Sequence, residues 1–153
     1  MTTRFNTETW NERERWLSKV QWDGAYYGSP KEVKTNINGL MLVLEMHNSE
    51  NKVKAIGLVK AHAHPADRMH QIYEDRNYNH YSYKSNYRLI LDQIELLPLE
   101  KKIIAIFNRL LFKGACHLKR GQGIMEMPKW IMKNKQIDFL KHLKALFARY
   151  FKP

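Results

Sequence analysis

Two apolar, β-branched runs, GLMLVLEMH over 39–47 and NKVKAIGLVKAH over 51–62, meet across the polar stretch NSEN. Runs of this length and composition, broken by turn-forming residues, pair as a hairpin. It is the strongest strand signal in the chain, and the other segments are placed around it. YSYKSNYRLILDQIELL reads as a strand or a pair of strands, with Tyr81, Tyr83, Tyr87, Leu89 and Leu91 alternating against polar neighbours. GIMEMP is a short strand candidate.

Helical spacing appears before, between and after these strands. Over 7–20, Thr9 and Glu12 have capping-box spacing, and Trp10, Arg13, Leu17 and Val20 fall on one face. Over 99–112, Ile103, Ile104, Phe107, Leu110 and Leu111 share a side, with Pro98 near the first turn. Over 136–151, Ile137, Leu140, Leu143, Phe147 and Phe151 form an apolar stripe away from Lys141, Lys144 and Arg149. Between the first helix and the hairpin, WDGAYYGSPKEV reads as a turn-rich segment leading into a short helix. Strands in runs with helices around them predict an α+β domain, not a doubly wound parallel sheet. The expected form is a small curled β-barrel with helices packed outside it. At 153 residues the chain is expected to make a single domain.

Charge narrows the partner. The chain carries 26 Lys and Arg against 15 Asp and Glu, and residues 101–153 hold 13 of the basic side chains and 2 of the acidic ones. The whole basic excess therefore lies in the last third, and a localised positive field concentrates polyanions. The competing account is a solvated, solubility-conferring face. The single cysteine, Cys116, excludes an internal disulfide and a cysteine-based zinc site. No apolar run approaches the roughly 18 residues of a membrane span, and MTTRFNTETW has no apolar signal core. The expectation is an intracellular chain, cytoplasmic or nuclear, with no membrane partner and no cofactor; its oligomeric state is open.

Taken in order, WDGAYYGSPKEV, VLEMHNSENKVKAIGLVK, AHPADRMHQIY and LFKGACHLKRGQGIMEMPKW resemble the EVE and YTH branch of the PUA-like domains. The resemblance covers about 20–132, with the first helix before it and the basic last helix after it. It implies a β-barrel flanked by helices that binds nucleic acid, RNA or DNA, and that in several members takes a flipped, modified base into an aromatic pocket. Carried over by position, it places Trp22, Tyr26, Tyr27 and Ser29 in the lining of that pocket and Met46, His47 and Asn48 at its mouth. Lys119 and Arg120 match a late basic turn that meets the backbone. Where relatives carry Arg-Asn after Trp-Asp-Gly, this chain has Ala25 and Tyr26, so the pocket amide is either missing or supplied by Asn48.

The residues give a parallel argument. Unstacking a base costs a few kcal/mol, which a pocket recovers by aromatic stacking and hydrogen bonds along the base edge. Trp22, Tyr26 and Tyr27 supply rings, and Ser29 and Asn48 supply short polar groups; the bland alternative is that Trp22 plugs the barrel. HLKRGQG, residues 117–123, sets His117, Lys119 and Arg120 beside two glycines, which suits a phosphate as well as a solvated turn. Lys129 and Lys133, with Lys135, Lys141 and Lys144, would extend that phosphate-binding surface. YEDRNYNHYSYKSNY, residues 73–87, interleaves five tyrosines with Arg76 and Lys84, a composition fitting single-stranded nucleic acid or ordinary core filling.

HAHPADRMH places His62, His64, Asp67 and His70 within nine residues as candidate metal ligands. They give the runner-up function, a metal-dependent enzyme acting on nucleic acid or a nucleotide. A third possibility is a module whose basic end binds an acidic protein. The leading expectation is a non-enzymatic domain that reads a modified or flipped base.

Overall fold

The computed structural model describes residues 1–35, 39–64 and 71–151. Along the chain run β1 (Thr2–Phe5), α1 (Thr7–Lys19), β2 (Ala25–Ser29), β3 (Leu40–His47), β4 (Lys52–Lys60), β5 (Tyr81–Ser85), β6 (Arg88–Ile90), α2 (Pro98–Phe112), α3 (Lys129–Met132) and α4 (Phe139–Tyr150). The class is mixed α+β. The hairpin forms as read, β3 and β4 pairing antiparallel from Leu40 with Lys60 to His47 with Lys52. β1 joins β3 in parallel and β6 joins β4 antiparallel, giving the order β1-β3-β4-β6, while β2 and β5 make a separate two-stranded sheet. Among the described residues the strands thus form two sheets, and no closed barrel is found.

The four-stranded sheet is covered on both faces. Leu44, Met46, Val53, Ile56 and Leu89 pack with Phe107 and Leu111 of α2 and with Phe139 and Leu143 of α4. Phe5, Met41, Val43, Ala55 and Val59 pack with Trp10 and Leu17 of α1 and with Tyr27 and Tyr83 of the small sheet. Successive residues of a strand point to opposite faces, so Val53 and Ala55 would share one. They do not, because the register shifts between Glu45 and Met46 and leaves an extra residue, Lys54, in β4. The bulge thus puts Val53 and Ala55 in different cores.

Several expectations are corrected in detail. α1 is capped by Asn6, whose side chain accepts from the Thr9 amide while the Asn6 amide donates to Thr9 Oγ1 at 3.1 Å. Glu12 takes no part in that cap; Val20 is exposed. GAYYGS is not a turn: Ala25–Ser29 form strand β2, buried throughout, with the buried Gly24 just before it. Its glycines mark close approach: a Cβ on Gly24 would overlap the Ser85 carbonyl oxygen, and one on Gly28 the Tyr78 carbonyl oxygen. GIMEMP makes only a single bridge, Met125 with Thr2. α4 begins at Phe139, and its buried side is Phe139, Leu143, Leu146 and Phe147, with Leu140 exposed. β1, too short and polar to be read from sequence, is a full sheet member. Among the described residues, no helix is long and apolar enough to cross a membrane.

Glu45 lies in the middle of β3, fully buried on the α1 side. Its Oε2 accepts from Arg13 Nη2 at 2.7 Å and Arg88 Nη2 at 2.8 Å, and its Oε1 accepts from Tyr27 Oη at 2.8 Å and Arg88 Nε at 2.9 Å. Glu14 closes the group from α1, at 2.7 Å from Arg88 and 3.0 Å from Arg13. The rest of the Arg13 guanidinium lies over the rings of Phe5, 4.0 Å to the centroid, and Trp10, 4.6 Å. Burial alone would push the Glu45 carboxyl up, but the two guanidinium groups overcome it and hold it at about 2.

A folded-state value below the unfolded one means a contribution present above the unfolded carboxyl range, near 4.3, and lost as pH falls through the folded value. Thermal denaturation followed by circular dichroism is therefore expected to show stability falling between about pH 4.5 and 2. In Glu45→Gln that portion of the fall disappears. Identical pH slopes in the two proteins would contradict the linkage.

Candidate functional site

The loop 117–123 folds back over the start of the chain. Leu118 N donates to Leu111 O at 2.8 Å, and Lys119 N donates to His117 Nδ1 at 3.2 Å. Arg4 of β1 reaches beneath the loop, donating from Nε to Leu118 O, from Nη1 to Gly123 O at 3.3 Å and from Nη2 to Thr2 Oγ1 at 2.7 Å. Gly121 makes room for it, since a Cβ there would press on the guanidinium. On the other side Asn48, just beyond β3, donates from Nδ2 to Lys119 O at 2.9 Å. Among the described residues its Oδ1 is buried with no hydrogen-bond partner.

These groups wall a cavity of about 310 Å³, completed by Phe5, Asn6 and Thr9, Gly28 of β2, and Tyr73, Asp75 and Tyr78. That volume is at the small end of ligand pockets, which span about 300–1,000 Å³. The Tyr73 and Tyr78 rings meet edge to face, centroids 6.2 Å apart. Burial pushes both phenols up from their ordinary value, so near neutral pH they are protonated and can donate. Burial lowers Arg4 to about 10, with the Tyr78 phenol working the other way, so at neutral pH it is still a cation.

Among the described residues Arg4 makes no ion pair. A guanidinium has five N–H donors, and the hydrogen bonds above use three. A buried orphan acceptor, a guanidinium with no ion pair among the described residues, two neutral phenols and the Asp75 carboxylate thus line one hollow. Such a set can hold a planar polar ring with an anionic substituent.

Of the pocket residues expected from sequence, Asn48 lies at this cavity, as does Lys119 of the phosphate set. The others are placed differently. Tyr26 and Tyr27 are buried, the first against Trp16 with centroids 4.6 Å apart and the second on Glu45, so neither has a ring face open to a base. Met46 belongs to the helical core. His47 packs on Trp10 at 5.5 Å and accepts from the Glu50 amide, and burial lowers its pKa. Ser29 is buried and donates to Lys31 O at 2.6 Å. Trp22 is half-buried against the α1-side core, its indole Nε1 buried with no partner among the described residues.

His117 is half-buried and Arg120 exposed. Lys129 and Lys133 are exposed on and just after α3, not on the last helix. His62 is exposed and His64 half-buried, its amide donating to Ser82 O at 3.0 Å. Asp67 and His70 lie outside the described residues. Among the described residues the close group of metal-donor side chains is Glu8, Glu12 and Glu74, without a histidine.

Sequence reading missed Arg4, Phe5, Tyr73 and Tyr78 as cavity residues. The tyrosines stood in the aromatic stretch already noted, which was the available signal; a lone Arg in a polar leader gave none. No protein-family model matches the chain, and searches of curated proteins and of solved structures found no match.

Proposed function

We propose that this protein is a nucleic-acid-binding domain that holds one base in the cavity between Asn48 and Tyr78, with the basic last third on the phosphate backbone. What supports the reading is that the orphan Asn48 Oδ1 and the Arg4 guanidinium, which has two N–H groups unused and no ion pair among the described residues, line one hollow with tyrosine walls. Asn48 accepts from the base edge, a tyrosine ring covers a base face, and the free N–H groups of Arg4 meet the adjoining phosphate. In this reading the two sheets, joined by the short link Asn86–Tyr87 between β5 and β6, are the two halves of a PUA-like barrel of the EVE and YTH type. The base taken is a flipped or modified one.

The test measures full-chain binding to single-stranded 12-mers, RNA and DNA, carrying at the centre an unmodified base, a methylated base or no base. A central base is expected to strengthen binding, and Asn48→Ala to remove that gain, about 2- to 10-fold for one neutral hydrogen bond, while leaving the baseless strand unaffected. Lys119→Ala with Arg120→Ala is expected to weaken all strands alike and flatten the salt dependence. Equal losses for Asn48→Ala with and without the base, or no binding to any strand at low salt, would overturn the reading.

A further inference from the structure

We infer that the groove beside the end of α2 is a second base-stacking platform, on which Trp130 carries an unpaired base of a single strand whose neighbouring segment occupies the cavity. This rests on the proposed function and extends it. Trp130 is 52 % exposed, whereas Trp10 is buried and Trp16 and Trp22 half-buried. Its outward position follows from α3, a single turn anchored by the buried Ile131 next to it. The groove measures about 820 Å³, and Trp130 shares its wall with Asn51, Asn108, Arg109, Lys113 and Cys116.

Three features specify the occupant. The charged residues on the wall are both cations, and among the described residues neither Arg109 nor Lys113 makes an ion pair. Lys129 and Lys133, both exposed, flank the indole in sequence. A field of one sign beside an open ring suits phosphates alternating with bases, since rings stack on any base and cations track the backbone. The amides add polar reach: Asn108 Oδ1 already accepts from Val53 N at 2.8 Å, leaving its amide N–H groups as donors.

Continuity with the cavity is the third feature. Lys119 lines the cavity, Asn51 lines the groove, and Lys119 Nζ donates to Asn51 Oδ1 at 2.7 Å. The two hollows therefore share an edge, and that edge is cationic. A strand leaving the cavity past Lys119 meets Asn51 at the mouth of the groove.

The experiment uses the full chain, 12-mer oligouridylate and a 12-mer backbone without bases. Trp130→Ala is expected to weaken oligouridylate binding about 5- to 150-fold, the range for one stacked base, and to leave the baseless strand unchanged. Trp130→Phe should restore most of the affinity, and oligouridylate should quench wild-type indole fluorescence but not that of Trp130→Phe. Full affinity in Trp130→Ala, or equal loss on both strands, would overturn the platform. Loss in Asn48→Ala without loss in Trp130→Ala removes the platform and leaves the cavity reading standing. Loss in Trp130→Ala with an unaffected Asn48→Ala supports the platform and removes the cavity. Binding to a polyglutamate peptide with none to either strand overturns both.

Discussion

Glu45→Ala is expected to destabilise the protein by about 3–5 kcal/mol, the cost of breaking a buried ion pair by removing one partner. The substitution leaves the guanidinium groups of Arg13 and Arg88, at 0 % and 2 % side-chain exposure, turned toward a hole, and leaves Tyr27 Oη without its acceptor. Glu14 cannot replace Glu45, because it approaches from α1 and is 34 % exposed. Against a total stability of about 5–15 kcal/mol for an ordinary domain, the loss is a large fraction. Urea denaturation at neutral pH measures it. Glu14→Ala serves as the comparison and is expected to cost about 1 kcal/mol, as a half-solvated pair does. If the two variants lose equal stability, water reaches the cluster and the burial argument fails.

Phe107→Ala is the second large effect, expected at about 3–5 kcal/mol from lost burial plus the cavity left behind. Phe107 is fully buried in α2, with its ring centroid 4.7 Å from that of Phe139 in α4. The two rings join the helices across the face of the sheet opposite Glu45. Phe107→Leu keeps most of the volume and should lose well under half as much. The readouts are the urea midpoint and the rate of proteolytic clipping within α4. An alanine variant within about 1 kcal/mol of wild type would mean that α4 repacks onto the sheet without the aromatic pair.

Much of the frame was legible because hydrophobic periodicity carries it: the hairpin, α1, α2 and strand structure in YSYKSNYRLI follow from alternation and helical spacing, whereas the break between β5 and β6 was left open. Arg13 was read only as a member of the α1 face, and Glu45 drew no reading inside LMLVLEMH. That they meet each other was not readable, since the pairing spans 32 residues and needs the folded sheet to place it. GAYYGS misled because glycine signals a turn as readily as a close backbone approach, and only the partner strand distinguishes them. In the candidate site, Asn48 and Lys119 carried local signals. Arg4 did not, because its role depends on a loop 114 residues away.

Because Arg4 already holds the carbonyl oxygens of Leu118 and Gly123, the floor of the cavity has its shape before anything enters. Immobilising a free loop costs about 1–2 kcal/mol of chain entropy per residue. A ligand meeting residues 117–123 is spared most of that penalty, so a small contact area can give useful affinity. Selectivity in such a preformed hollow is then a matter of fit, not of folding around the guest.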